Sequence, residues 1–463
     1  MSHAIAPSIF KAYDIRGIVD QTLTVDAVRA IGLALGTKAR QAGATETVIG
    51  RDGRLSGPKL SQALADGFRA AGVSVIDIGM VPTPVVYYAT FELGTGTGVA
   101  VTGSHNPPDY NGLKMVVAGE AIYGDAILGL RDAIAAGGLE EVPPAERGGY
   151  RTVDLGQRYL DRVTGDVKLA RPMKIAIDCG NGVAGALAPQ LFRALGCEVT
   201  ELFCEVDGTF PNHHPDPAHV ENLQDLIRCL RETDAEIGLA FDGDGDRLGV
   251  VTKAGNIIWP DRQMMLFAQD VLSRNPGAEI IYDVKCSRKL AEHIRAHGGR
   301  PTMWRTGHSL VKAKLKESGA PLAGEMSGHV FFRERWYGFD DGLYTGARLL
   351  EILSRHADPS AALNALPDSP ATPELQLKTA EGENFALVEA LKRTATFDGA
   401  TEVITIDGVR VEYPDGFGLA RPSNTTPVVV IRFEADTPEA LARIQGEFRR
   451  AILAVKPGAE LPF

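Results

Sequence analysis

The chain has 463 residues, which at about 150 residues per domain suggests roughly three domains. Lysine and arginine number 48 against 59 aspartates and glutamates, and the resulting charge of −11 argues against a surface for nucleic acid or any other polyanion over the whole chain, though not against a local phosphate pocket. Apolar content of 44% and charged content of 23% exclude a disordered or fibrous chain, and five scattered cysteines argue against a disulfide framework. The N-terminal stretch MSHAIAPSIFKAYDIRG lacks a basic region followed by an apolar one, and no segment approaches ~18 apolar residues. A cytoplasmic setting without membrane contact is the expectation.

Elements alternate between helix and strand. Val25, Val28, Ile31 and Leu35 recur at helical spacing behind Thr24, a helix-capping residue. A strand follows at 47–50. Ser56 opens a helix carrying Leu60, Leu64 and Phe68, and 73–78 and 99–101 are strands, the last running into TGSHNPPDYNGLK. The order then restarts with strand 174–178, helix 186–195, strand 198–203, a helix near 223–231, and strand 237–241 ending in DGDGDR. A third round has strand 279–282, helix 287–297 and a last strand near 321–323 ending in GEMSGH. Continuous apolar strands between helices predict mostly parallel sheets covered on both faces, and the recurrence reads as a degenerate repeat. The remainder differs. A helix near 384–393, strands 402–406 and 409–413, the loop RPSNTTP, strand 428–433 and helix 438–454 read as a smaller α+β domain. Pro/Gly-rich linkers place the domains at 1–149, 150–254, 255–367 and 368–463, with the Pro359–Pro373 segment as a hinge for the last.

Five loops carry residues suited to chemistry. Asp242, Asp244 and Asp246 alternate with glycines, so three carboxylates can curl around a hard cation. The sixth and twelfth positions, Arg247 and Lys253, rule out an EF-hand, and a solvated acidic turn is the plain alternative. Ser104 follows a strand between Gly103 and His105 and suits a nucleophile, or else belongs to a turn made of Asn, Pro and Gly. Glu325 and Ser327 in GEMSGH can bond sugar hydroxyls, or else belong to a strand-end turn. Arg421, Ser423, Asn424 and Thr425 in RPSNTTP suit a phosphate, or else form a polar hairpin loop. KAYDIRG near the N-terminus contributes Tyr13 and Arg16, for which surface charge is the simplest reading. His308 and Lys285 follow strands of the third unit. The stretch Gly180-Asn181-Gly182-Val183-Ala184-Gly185 matches the dinucleotide fingerprint G-x-G-x-x-G, follows a strand and opens a helix, so a nicotinamide-dependent dehydrogenase is the competing reading.

Four of these loops, in this order, resemble the signatures of the α-D-phosphohexomutases: TGSHNPPDYNGLK, DGDGDR, GEMSGH and RPSNTTP. The resemblance runs from KAYDIRG to the last domain. GEMSGH with RPSNTTP is similar to the bacterial phosphomannomutase/phosphoglucomutase branch, whereas the phosphoglucosamine mutase branch usually reads GEQSG. The resemblance implies three similar α/β units and a smaller C-terminal domain around a central cleft. It implies interconversion of hexose 1-phosphate and hexose 6-phosphate, of mannose, glucose or both, through a phosphoserine at Ser104 and a hexose 1,6-bisphosphate. Phosphoglucosamine mutase is the alternative. By the same resemblance Mg²⁺ is held by Asp242, Asp244, Asp246 and the phosphoserine at Ser104. Arg247 neutralises charge on the transferring group. Lys114, with His308, His329 and Arg16, moves protons. Glu325 and Ser327 read the sugar, while Arg421, Ser423, Asn424 and Thr425 hold the non-reacting phosphate. Tyr13 and Lys285 complete the substrate contacts. Arg16, Lys114, Arg247, Lys285 and Arg421 are expected to converge on one basic cleft. The expected partner is a small phosphosugar bound by a monomer.

Overall fold

The computed structural model describes residues 5–463. Thr24 caps helix α1 (Val25–Gln41), its side chain accepting from the Ala27 amide as the sequence predicts. Strand β1 (Ile15–Ile18) precedes it. β2 (Glu46–Arg51), α2 (Gly57–Ala70), β3 (Ser74–Met80), α3 (Thr83–Glu92), β4 (Gly98–Val101), β5 (Tyr110–Val117), β6 (Glu120–Ala121), α4 (Asp125–Ala135) and β7 (Tyr150–Thr152) follow. Ser56 precedes α2 without capping it, because its hydroxyl accepts from Asn111 Nδ2 at 2.8 Å instead.

The second unit has α5 (Gly156–Asp166), β8 (Lys174–Asp178), α6 (Ala188–Ala194), β9 (Glu198–Leu202), α7 (Gln224–Glu232), β10 (Ile237–Phe241), β11 (Leu248–Thr252) and β12 (Ile257–Ile258). The third has α8 (Pro260–Arg274), β13 (Glu279–Asp283), α9 (Arg288–Ala296), β14 (Arg300–Trp304), α10 (His308–Ser318), β15 (Leu322–Gly324), β16 (Val330–Phe332), α11 (Gly342–Leu353) and α12 (Pro359–Asn364). The last has β17 (Leu375–Lys378), α13 (Glu383–Thr394), β18 (Glu402–Ile404), β19 (Val409–Tyr413), β20 (Gly416–Pro422), β21 (Val428–Ala435) and α14 (Pro438–Val455).

One topological rule places every candidate loop. In the first sheet β3, β2 and β4 are parallel, and β5 turns back antiparallel to β4. In the second, β9, β8 and β10 are parallel and β11 turns back on β10. In the third, β14, β13 and β15 are parallel and β16 turns back on β15. The loops expected to carry the serine, the metal ligands and the sugar contacts are those three reversals, at the carboxyl ends of parallel strands where α/β sheets bind ligands. The fourth sheet is antiparallel throughout, in the order β17-β21-β20-β19-β18, and the phosphate loop is its β20–β21 reversal. The architecture is thus three mixed, mostly parallel α/β units and a smaller α+β domain, as expected. The return strands β5, β11 and β16 are what the sequence reading lacked, since it ended each of the first three units in its polar loop; in the last domain it lacked β20, which leads into RPSNTTP, and had the return strand β21 as 428–433.

A continuous apolar core runs through the first three units, joining Val48 and Tyr87 to Ile175 and Phe241 and on to Tyr282 and Phe332. Helix α11 of the third unit packs over β10 and β11 of the second. The last domain has its own core, including Val411, Phe433, Ile444 and Phe448. Pro359 starts the short helix α12, capped by Asp358, instead of belonging to an irregular linker. Among the described residues no helix is long and apolar enough to cross a membrane.

Candidate active site

The reversals meet in a cleft of about 980 Å³ lined from all four sheets. Ser104 lies just beneath its lining. Its backbone adopts the left-handed conformation, φ 50°, which a non-glycine residue keeps only where its surroundings enforce it. Those surroundings were not singled out in the sequence reading. Asp52 Oδ2 accepts from Thr102 Oγ1 at 2.8 Å and from the Gly103 amide at 3.1 Å. Arg54, fully buried, pairs with Asp52 and donates to the carbonyls of Ser104, Asn106, Pro107 and Tyr110 at 2.5–2.9 Å. The signal was Arg51-Asp52-Gly53-Arg54 at the carboxyl end of β2, a dense run of charge following an apolar strand.

Ser104 Oγ stands 3.3 Å from Asp242 Oδ2 and 3.1 Å from His105 Nδ1. Asp242 Oδ1 is occupied by the amides of Gly245, Asp246 and Arg247 at 3.1–3.2 Å, which curls the metal loop. Asp242, Asp244 and Asp246 each offer an oxygen within a 4.8 Å cluster. All three are buried, so the solvated-turn alternative fails. Asp244 Oδ1 and Asp246 Oδ1 have no hydrogen-bond partner. Burial, then Asp246 and Asp244, push the Asp242 carboxyl well above its usual range. Three buried carboxylates with unpartnered oxygens leave room for further positive charge, and their hard oxygen donors fit a small divalent cation.

Lys114 is on β5 and not in a loop. Its ammonium contacts Asp244 Oδ2 at 2.8 Å and Asp246 Oδ2 at 2.5 Å. Burial alone would lower its pKa, yet these carboxylates hold it well above the usual lysine range. Thr83 at the start of α3 adds a 2.6 Å bond to Asp244.

Arg247 Nε donates to His329 Nε2 at 3.0 Å, and His329 Nδ1 lies 3.0 Å from Asp340 Oδ2. Asp340, another residue the sequence reading missed, is buried and paired with Lys312 at 2.8 Å. His308 starts α10, and its burial, reinforced by Lys312, lowers its pKa well below the usual value. Arg16 reaches Asn106 Oδ1 and Asp14. Glu325 is buried and accepts the Gly307 amide, and burial raises its pKa. Ser327 Oγ lies 3.5 Å from Glu325 Oε2.

On the opposite side Arg421, at the end of β20, pairs with Asp407 at 3.0 Å. Ser423 Oγ accepts the amides of Thr425 and Thr426 at 3.3 and 3.2 Å. Asn424 donates to Tyr13 of the first unit, whose hydroxyl donates to the Thr306 carbonyl at 2.7 Å. Lys285 is held by Glu374 at 2.6 Å. Tyr13, Arg16, Arg247, Lys285, His308, Glu325, Ser327, His329, Arg421, Ser423, Asn424 and Thr425 all line the cleft. Ser104, Lys114, Asp242, Asp244 and Asp246 form the layer beneath, so four of the five expected basic residues face the cleft and Lys114 does not.

The dinucleotide reading fails on packing. A Cβ at Gly182 would sit 2.9 Å from Gly243 Cα, and one at Gly185 would sit 2.0 Å from the Cys204 carbonyl oxygen. Those glycines let protein backbone approach, the first against the metal loop itself, and leave no room for a pyrophosphate.

This layout of a serine–carboxylate floor under a cleft closed by a smaller domain defines a phosphoryl-transfer class. Comparison agrees. Domain descriptions of Phosphoglucomutase/phosphomannomutase match throughout: alpha/beta/alpha domain I at residues 7–138, domain II at 157–255, domain III at 259–369 and the C-terminal domain at 374–451. The chain belongs to this family and is a phosphohexomutase, an isomerase of carbohydrate metabolism. It is 58% identical to a phosphoglucomutase of Neisseria meningitidis, covering 97% of both chains. It is 55% identical to a phosphomannomutase/phosphoglucomutase of Pseudomonas aeruginosa over 100% of both. A crystal structure of a phosphoglucomutase/phosphomannomutase family protein from Burkholderia thailandensis superposes with TM-score 0.94 at 64% identity, covering 99% of this chain and 100% of that one.

Proposed function

We propose that the protein interconverts the 1-phosphates and 6-phosphates of glucose and mannose through a phosphoserine at Ser104 and a hexose 1,6-bisphosphate. The observation that carries the reading is one cleft with a strained serine over three buried carboxylates at its floor and an arginine–hydroxyl loop opposite.

Asp242, Asp244 and Asp246 would hold Mg²⁺ together with a phosphoserine oxygen. Bound there, the ion offsets negative charge on the transferring phosphoryl group. The protein's own residues do the remainder. Arg247, steered by His329, faces the reacting group and offsets the same charge. Arg16 and Lys285 attract the phosphosugar's anionic end. Glu325 and Ser327 orient the ring hydroxyls. Arg421, Ser423, Asn424 and Thr425 anchor the phosphate that does not react, and Tyr13 ties that loop to the first unit. As placed, Lys114 is a charged donor. It accepts a proton only once its two carboxylates are satisfied from elsewhere, and His308, held neutral, is an acceptor without that condition. Ser104 gives its phosphoryl to the free hydroxyl, the bisphosphate turns over, and the other phosphate returns to Ser104. That turn requires the last domain to loosen about the segment between α12 and β17, and the chain does this as a monomer.

The test is a coupled assay of glucose 1-phosphate and mannose 1-phosphate with Mg²⁺ and a trace of glucose 1,6-bisphosphate. Conversion of both supports the reading. Conversion of glucosamine 1-phosphate in preference to either would replace it with phosphoglucosamine mutase.

A further inference from the structure

Beneath the cleft, two thiols of the second unit face each other. Cys179 follows β8 and Cys204 follows β9, adjacent parallel strands whose last paired residues are Asp178 and Leu202. The Cys204 thiol donates to Cys179 Sγ at 3.5 Å, and both are free thiols. Cys179 is buried and Cys204 half-buried, so Cys204 is the more accessible of the two to an oxidant.

The pair sits at the root of segment 203–217, which is wedged between the serine and metal loops. Phe203 and Asn181 both adopt the left-handed conformation, at φ 50° and 60°, and the Asn181 amide donates to the Phe203 carbonyl at 2.8 Å. Further on, a Cβ at Gly53 would meet Val206 at 2.3 Å, and one at Gly208 would meet Arg54 Cα at 2.7 Å. The segment thus presses on the arginine that holds the serine loop. It ends on the metal loop, where the Pro215 carbonyl accepts the Gly243 amide at 3.0 Å.

We propose that Cys179 and Cys204 form a reversible redox site whose oxidation to a disulfide lowers turnover. A hydroperoxide is the oxidant. The Cys204 thiolate attacks one peroxide oxygen, the O–O bond breaks, and the leaving oxygen takes a proton and departs as water or an alcohol. The resulting Cys204 sulfenic acid is attacked by Cys179 sulfur, its hydroxyl leaving as water with the Cys179 proton. Two thiols lose two electrons, the peroxide gains them, and a dithiol reductant reverses the change. Closing 3.5 Å to the ~2.05 Å of a disulfide shortens the sulfur–sulfur separation by about 1.5 Å and fixes the torsions between the two strand ends. The 180–185 turn has no slack to absorb this, because Gly185 already touches the Cys204 carbonyl. The movement passes instead into segment 203–217 and from there to Arg54 and Gly243. A displacement of about 1 Å at a reacting centre is worth up to ~100-fold in rate.

Full-length protein is reduced with dithiothreitol, desalted and treated with hydrogen peroxide. It is then mapped by mass spectrometry without reduction, alongside glucose 1-phosphate turnover. The expected result is a linked 179–204 peptide, loss of two of the five thiols and about tenfold slower turnover, all restored by dithiothreitol. Cys204→Ser keeps the reduced-state rate and loses both linkage and peroxide sensitivity, and Cys179→Ala repeats this from the buried side. Absence of the linked peptide overturns the proposal, as does linkage with unchanged turnover, or sensitivity that persists in Cys204→Ser. The turnover readout rests on the mutase reading. An inactive reduced protein would count against that reading, and the linked peptide would then decide the redox site.

Discussion

The first three units and the last domain are held in place by different means. Units one to three share an apolar core, so their relative positions rest on burial that no polar exchange can replace. The last domain meets them through a few apolar contacts, Val284 against Phe417 and Leu419, and a larger set of directional bonds. Arg410 donates to the carbonyls of Val284 and Cys286 at 2.6 and 2.7 Å with Phe417 against its guanidinium. Arg432 bonds Asp261, and Ser287 bonds Glu434 at 2.8 Å. Polar contacts can be exchanged for water with little net change in free energy, whereas separating a shared core cannot. On the proposed function, the chemistry is mounted on the fixed part and phosphate anchoring on the part held by exchangeable contacts. Mutations should sort by side, with losses of kcat in the block and rises of KM in the last domain.

The largest expected effect is Ser104→Ala, which should remove turnover by about four orders of magnitude or more while leaving thermal unfolding nearly unchanged. A rate near that of the parent protein in a steady-state assay would end the nucleophile assignment. Asp244→Asn, one step below, should weaken metal activation by about 100-fold. It should also disturb Lys114, which loses one of its two carboxylates, so the metal titration and the pH profile should move together. Arg421→Ala removes a charge-assisted contact worth about 1.5–3 kcal/mol, and should raise KM by roughly 10- to 100-fold with kcat nearly kept. A fall in kcat alone would erase the contrast between the two parts. Arg410→Ala leaves two buried carbonyls unpaired, at about 1–3 kcal/mol each. Hydrogen exchange should then rise along β17–β21 and stay unchanged in β8–β11, while increases spread evenly would mean that the seam is not a separate joint.

How much of this was legible follows the same division. The four loops could be read because their residue types are improbable together: alternating Asp and Gly, Ser and His beside prolines, hydroxyls after an arginine. Two strands beside them could not, because β11, which returns from DGDGDR, and β20, which leads into RPSNTTP, are buried almost throughout and carry no alternation to mark them. Lys114 looked like part of a polar loop since Tyr110–Val117 mixes Asn, Gly and Lys with apolar residues, yet its pairing with β1 and β4 makes it a strand. Arg54 and Asp340 escaped notice for another reason. Each sits beside another charge, in Arg51-Asp52-Gly53-Arg54 and in Asp340-Asp341, and so reads as a polar turn, while its role depends on burial beside groups about 50 and 30 residues away. The fingerprint at Gly180–Gly185 misled in reverse: its glycines meet the dinucleotide rule but serve contacts to Cys204 and Gly243, residues distant in sequence.

The smallest effect expected is at His213, where the fixed part is joined within itself by polar contacts. Its Nε2 lies 3.0 Å from Asp178 Oδ2 at the end of β8, and its Nδ1 meets the His214 carbonyl at 3.0 Å. Burial alone would lower the pKa of this histidine, but the bond to Asp178 outweighs it and the net shift is upward. A raised folded-state value means the native protein binds the proton more tightly than the unfolded chain does. The stabilisation is then complete below the ordinary histidine pKa of about 6.5 and fades as pH rises through the raised value. His213→Asn keeps polarity without the charge. Compared with the parent protein, it should melt lower at pH 5.5 and progressively less so toward pH 9. The shift should appear in the transition of the three-unit block, read by hydrogen exchange in β8–β10, and not in the last domain. A difference that grows with pH, or one confined to β17–β21, would show that this contact does not belong to the block's cooperative unit.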